Sequence, residues 1–185
     1  MTTLKEIGLN EKDLDKAIAD GYISVRPHPD SRELLIYNYT AKSQYERVWT
    51  KETLACRGLI LNVPDDGEIL VVARPFNKFF NLAELDKIPE GKFVAQEKMD
   101  GSLGIIYQAP DGLPSVATRG SFASEQAEWA TQWLRKRPKF VAAAQSAISR
   151  NHTLLVEIIY PKNRIVIDYG ELEELVLLTA IDNAR

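Results

Sequence analysis

Phe93-Val94-Ala95-Gln96-Glu97-Lys98, then Met99-Asp100-Gly101-Ser102, then Leu103-Gly104-Ile105-Ile106-Tyr107-Gln108 is the stretch on which the fold turns. Two runs with β-forming residues flank an Asp-Gly pair, the commonest two-residue hairpin signal. This reading predicts paired strands over 93–98 and 103–108, with Asp100-Gly101 as their turn. Upstream, 33–39 (ELLIYNY), 55–63 (ACRGLILNV) and 69–74 (ILVVAR) are further β-branched and aromatic runs. Downstream, strands are expected at 115–119, 153–160, 164–169 and 175–181.

Helical spacing appears in two places only. Residues 10–20 read as a short helix capped by Asn10 and stopped by Gly21, with Leu14 and Ile18 on one face. Over 124–136 and 138–150 the apolar residues recur at helical intervals, and Pro138 divides the two helices. Strands, a helical insertion and strands again make an α+β chain with mainly antiparallel sheet, not an alternating βαβ fold. Trp129 and Trp133 are expected to turn inward from the first of the two helices.

Composition narrows the classes. The 185 residues carry a net charge of −3, so any polyanion site must be a local patch. Cys56 is the one cysteine, which excludes an internal disulfide and a cysteine zinc site. His28 and His152 have no ligand spacing around them. The N-terminus lacks an apolar signal core, and no run approaches the roughly 20 apolar residues of a membrane span. A cytoplasmic, reducing setting is the expectation.

Lys98-Met99-Asp100-Gly101 has the form Lys-x-Asp-Gly. A lysine amine in its neutral form can attack the α-phosphorus of a nucleoside triphosphate and displace pyrophosphate. Nearby cations and a bound metal favour the neutral form, and glycine permits close backbone approach. The same four residues also fit a plain hairpin bearing a surface lysine.

Four more segments stand in order around this one: Cys56-Arg57-Gly58; Arg74-Pro75-Phe76-Asn77-Lys78-Phe79-Phe80-Asn81; Thr118-Arg119-Gly120-Ser121; and Val156-Glu157-Ile158-Ile159-Tyr160-Pro161-Lys162-Asn163-Arg164-Ile165-Val166. Together the five resemble the phage-type RNA ligase 1 family, ATP-dependent RNA ligases of the covalent nucleotidyltransferase superfamily. The resemblance runs from about residue 33 to the C-terminus.

The resemblance implies the covalent-ligase nucleotidyltransferase fold, with antiparallel sheets around a nucleotide cleft, helices outside, and Lys98 at the cleft floor. It implies Lys98 as the nucleophile that becomes lysyl-AMP. It implies nucleotide contacts from Arg57, phosphate contacts from Lys78, a ribose contact from Glu157, nucleotide-binding places for Asp100 and Gly101 of the motif itself, and a supporting role for Phe80. Tyr39 lies near a family tyrosine of the nucleotide pocket. Arg119 stands where family members commonly carry lysine, keeping the charge with a different donor geometry. Lys162 and Arg164 fit either phosphate contacts or a charged turn. ATP is the implied nucleotide, magnesium the implied metal with its ligands unassigned, and RNA ends bearing a 5′-phosphate and a 3′-hydroxyl, tRNA among them, the implied partners.

Two family segments are missing from the sequence. No Glu-Gly follows Glu157, and Lys136, Lys139 and Lys162 form no Lys-x-Lys. The expectation is therefore one C-terminally incomplete adenylyltransferase domain over 1–185, the N-terminal part of a longer ligase or a chain completed by a second polypeptide. Two other classes stay open: another covalent nucleotidyltransferase of DNA ligase or capping type, and a nucleotide- or RNA-binding module without turnover.

Overall fold

The computed structural model describes residues 1–185 except Asp86, Ile88 and Pro89. The elements in chain order are β1 (Thr2–Thr3), α1 (Glu11–Ala19), β2 (Ile23–His28), β3 (Ser31–Tyr39), α2 (Ala41–Tyr45), α3 (Lys51–Ala55), β4 (Arg57–Asn62), β5 (Leu70–Ala73), β6 (Ser102–Gln108), β7 (Pro114–Ala117), α4 (Glu125–Arg135), α5 (Pro138–Ser149), β8 (His152–Ile159) and β9 (Glu174–Asp182), with short 3-10 turns at Leu82–Glu84 and Pro161–Asn163. They form an α+β chain with two antiparallel sheets. One has the order β1-β5-β4-β3-β2 and the other β7-β6-β8-β9.

Three apolar layers hold these elements together. Leu59 and Leu61 of β4 join Leu14 and Ala17 of α1 on one face of the first sheet. Ile60, between them in sequence, points to the opposite face, where Ile36 and Ala73 meet Ile105, Tyr107 and Leu155 of the second sheet. Ile106, Val156 and Ile158 then pack outward against Ala130, Trp133 and Leu134 of α4 and Ala144 of α5. Successive strand residues thus serve different layers. Both faces of the central strands are covered, which explains unbroken apolar runs such as Leu59-Ile60-Leu61. As expected, Trp133 enters the outer core, where its indole N–H donates to the Glu173 carbonyl at 2.9 Å. Trp129 stacks on Tyr160 with ring centroids 4.3 Å apart.

Two expected strands are absent. Residues 93–98 form no ladder, and Phe93 and Val94 are exposed. The reason lies in β6, which has two edges, one paired with β7 and the other with β8. No edge is left for 93–98, so Asp100-Gly101 is not a hairpin turn. Residues 164–169 likewise form no strand, and Ile165, Val166 and Ile167 are exposed. The Val166 and Ile167 amides donate to the Asp100 carboxylate instead of to a neighbouring strand. Strand β2 was not foreseen. Its Arg26-Pro27-His28 sequence obscures a strand, and Pro27 is tolerated because β2 lies at the sheet edge.

Candidate active site

The sheets bring one set of their strand ends together. Antiparallel pairing of β3 with β4 sets the end of β3, at Tyr39, beside the start of β4, at Arg57. The start of β6 pairs with the end of β8, opposing Leu103 to Glu157. Arg119 lies two residues beyond the end of β7, and Lys78 lies in the segment leaving β5.

Gly58 closes the gap between the sheets. The register of β3 on β4 shifts so that Tyr37 opposes Leu59 while Asn38 opposes Arg57, leaving Gly58 as the bulged residue. Its φ is +98°, and a Cβ there would lie 2.5 Å from Ile105 Cδ1 and 3.1 Å from the Arg119 carbonyl oxygen. Glycine alone allows this approach without strain.

At the centre of the site, Arg119 Nη1 donates to Tyr39 Oη at 3.0 Å, with its guanidinium over the same ring. Arg57 lies 4.8 Å from the Phe79 ring centroid. Burial pushes the Arg57 guanidinium below its ordinary pKa; Tyr39 and Glu157 oppose that shift and Arg119 adds to it. An arginine stays charged through such a shift. Among the described residues, Arg57 Nη1 and Asn38 Oδ1 are buried without a hydrogen-bond partner. An unpaired donor on a buried cation is costly alone and suits an anionic ligand.

Lys78 occupies one flank, beside an aromatic row. Its Nζ lies 4.2 Å from the Phe80 ring centroid and 5.5 Å from that of Trp49, and it donates to the Phe79 carbonyl. Trp49 bridges the row by edge contacts to Tyr39 at 5.2 Å and to Phe80 at 5.5 Å. The sequence reading missed Trp49; its only signal was a large aromatic in the polar stretch Arg47-Val48-Trp49-Thr50-Lys51.

Lys98 and Glu157 occupy the other flank. Lys98 is exposed, and its charge acts on both Asp100 and Glu157. Glu157 accepts a hydrogen bond from the Gly101 amide at 2.9 Å. Burial raises the Glu157 carboxyl above its ordinary pKa; the Gly101 amide, Lys98 and Arg57 oppose this, and Asp100 reinforces it. Asp100 is committed elsewhere. Its Oδ2 accepts from the amides of Ile167 and Val166, both at 2.7 Å, and these hold its carboxyl below the usual range. Its own amide donates to Tyr169 Oη at 3.0 Å. Tyr169 is a second residue the sequence reading did not single out.

Lys98, Arg57, Lys78, Arg119, Glu157, Tyr39, Phe80, Asp100 and Gly101 thus border one end of the two sheets. Four of them are cations, in a chain whose net charge is negative. Arg164, which lines a cavity beside Asp100, pairs with Asp168 at 2.7 Å. The set also offers a metal little: Asp100 already accepts two amides on one oxygen, and no group of three or more His, Cys, Asp or Glu among the described residues could hold an ion. No helix among them is long and apolar enough to cross a membrane.

The model of a family described as RNA ligase, of the phage type, matches residues 55–185. The chain belongs to this family. The match begins two residues before Arg57 and encloses every site residue named here except Tyr39 and Trp49. A protein of Thermovibrio ammonificans (strain DSM 15698 / JCM 12110 / HB-1), named "Putative RNA ligase", is 34% identical over 118 residues. The match covers 61% of this chain and 30% of that relative, so the chain spans less than a third of the relative's length.

Proposed function

We propose that this chain is the nucleotide-binding part of an ATP-dependent RNA ligase, with Lys98 as its nucleophile and the covalent-ligase nucleotidyltransferase fold as its frame. One observation carries the reading. Lys98 stands three residues before Gly101, whose amide donates to Glu157, on the flank of a site that also holds Arg57, Lys78 and Arg119, inside the span that matches the ligase family.

In the proposed reaction, neutral Lys98 Nζ attacks the α-phosphorus of ATP. An N–P bond forms, the bond to pyrophosphate breaks, and the amine proton leaves to solvent. The AMP then passes to the 5′-phosphate of an RNA end, freeing Lys98. A 3′-hydroxyl attacks that activated phosphate, AMP departs, and the strand is joined.

Each residue has a task in this scheme. Arg57, Lys78 and Arg119 face the phosphates, and the unpaired Arg57 Nη1 gains an acceptor there. Glu157 accepts from a ribose hydroxyl. The Tyr39–Trp49–Phe80 row supplies an apolar wall against which Lys78 is held. Magnesium is the metal expected for such chemistry. Among the described residues, these side chains do not assemble a site for it.

Incubation with α-labelled ATP and magnesium tests the reading. Label should attach to the chain and vanish in Lys98→Ala. The absence of Lys-x-Lys after Lys98 predicts a slow reaction for these 185 residues. ATP binding with no label on Lys98, even after long incubation, would instead support a nucleotide-binding module without turnover.

A further inference from the structure

Lys98 is not carried by a strand. Neither edge of β6 is open to residues 93–98, so no ladder fixes the backbone that bears the nucleophile. The nearest anchor is Asp100, two residues on and at most ~7 Å along the chain. Asp100 is gripped from both of its polar ends by one surface loop. Its carboxylate accepts from the Val166 and Ile167 amides, and its amide donates to Tyr169 Oη. Tyr169 itself is half-buried in the wall of a cavity of about 300 Å³, which Asp100, Asn163 and Arg164 also line.

We propose that Tyr169 is a positioning residue for Lys98: with Asp100 it forms a clasp that fixes the nucleophile-bearing segment against the 164–170 loop. The inference rests on the proposed role of Lys98. The two halves of the clasp are chemically separate. The Asp100 carboxylate tethers the loop, whereas the Tyr169 hydroxyl satisfies the Asp100 amide and sets the backbone direction on the Lys98 side. Loss of the hydroxyl leaves the tether intact and frees the segment that carries the amine.

Tyr169→Phe keeps the ring and removes only the acceptor. Amide hydrogen exchange followed by NMR in the 185-residue protein reads the clasp directly. The Asp100 amide should exchange about tenfold faster in Tyr169→Phe, the loss of one hydrogen bond, while the amides of β8 exchange as before. An unchanged Asp100 amide, or a matching rise throughout β8, overturns the clasp. Where wild-type chain forms lysyl-AMP, the rate at saturating ATP should fall about tenfold with the ATP KM held within about twofold. A raised KM with an intact rate overturns the positioning role. A wild-type chain that never labels Lys98 defeats the proposed function instead, and the exchange result still decides the clasp.

Discussion

The Gly101 amide donates to Glu157 Oε1 at 2.9 Å, joining two residues 56 positions apart. The approach is closer still along the backbone: a Cβ on Gly101 would lie 2.5 Å from the Ile158 carbonyl oxygen and 3.2 Å from Glu157 Cγ. Gly101→Ala should therefore force β6 away from β8 at the site. The expected loss of stability is about 1–3 kcal/mol, as for other overpacked positions, read from urea denaturation. Labelling of Lys98 should drop with it. A variant as stable as wild type would show that the strands separate there at no cost.

Glu157 carries a pH signature. Its carboxyl is raised from 4.5 by burial, so the folded chain holds that proton more tightly than the unfolded one. Stability contributed by the protonated form is full below 4.5 and is lost as pH rises through the folded value. Glu157→Gln keeps the acceptor for Gly101 and removes the charge. It should be more stable than wild type at pH 7, and the advantage should vanish in acid. Thermal unfolding across pH 3–8, a range spanning the ordinary carboxylate values, checks the sign. Nucleotide affinity should fall in the same variant.

Tyr39 meets Arg119 through its hydroxyl as well as its ring. Tyr39→Phe leaves the ring against Trp49 and removes that acceptor. ATP binding by calorimetry should weaken about three- to tenfold, the worth of one hydrogen bond, with unfolding unchanged. Equal affinity in the two proteins would place Arg119 outside the nucleotide contacts.

Arg57→Lys tests shape against charge. Lysine keeps the cation but loses the planar fork, including the unpaired Nη1 donor. ATP affinity should fall about tenfold or more, since each lost charged hydrogen bond is worth about 1.5–3 kcal/mol. Full retention of affinity would mean that only the charge at this position matters.

Gly58→Ala should destabilise the chain even without ligand. The positive φ and the 2.5 Å approach to Ile105 Cδ1 act together, and about 1–3 kcal/mol is expected. Urea denaturation measures this independently of any activity.

Much of this was legible in the sequence. The runs around Ile36, Ile60, Ile105 and Leu155 read as strands because covered sheets favour β-branched and aromatic residues, and they are strands. The helices carrying Trp133 and Ala144 were legible from their spacing. The two strands expected and not found have a topological cause. Phe93-Val94 and Ile165-Val166-Ile167 have strand composition, but both edges of β6 are taken by β7 and β8, and the Val166 and Ile167 amides go to Asp100; local sequence encodes neither fact. In the site, charged residues within recurring segments were legible. Trp49 and Tyr169 were not, because each acts through a partner far along the chain: Trp49 on Phe80 and Tyr169 on Asp100.

That β6 has no free edge bears on the reaction itself. In the proposed cycle one amine must first meet a triphosphate and then present its AMP to the end of an RNA. A lysine built into a ladder strand would have its backbone held on both sides. Lys98 is anchored downstream at Asp100 and Gly101, while upstream its chain runs through exposed residues without a ladder. The proposed nucleophile is thus mounted as an arm with a single fulcrum, and its reach is set by where that fulcrum is pinned.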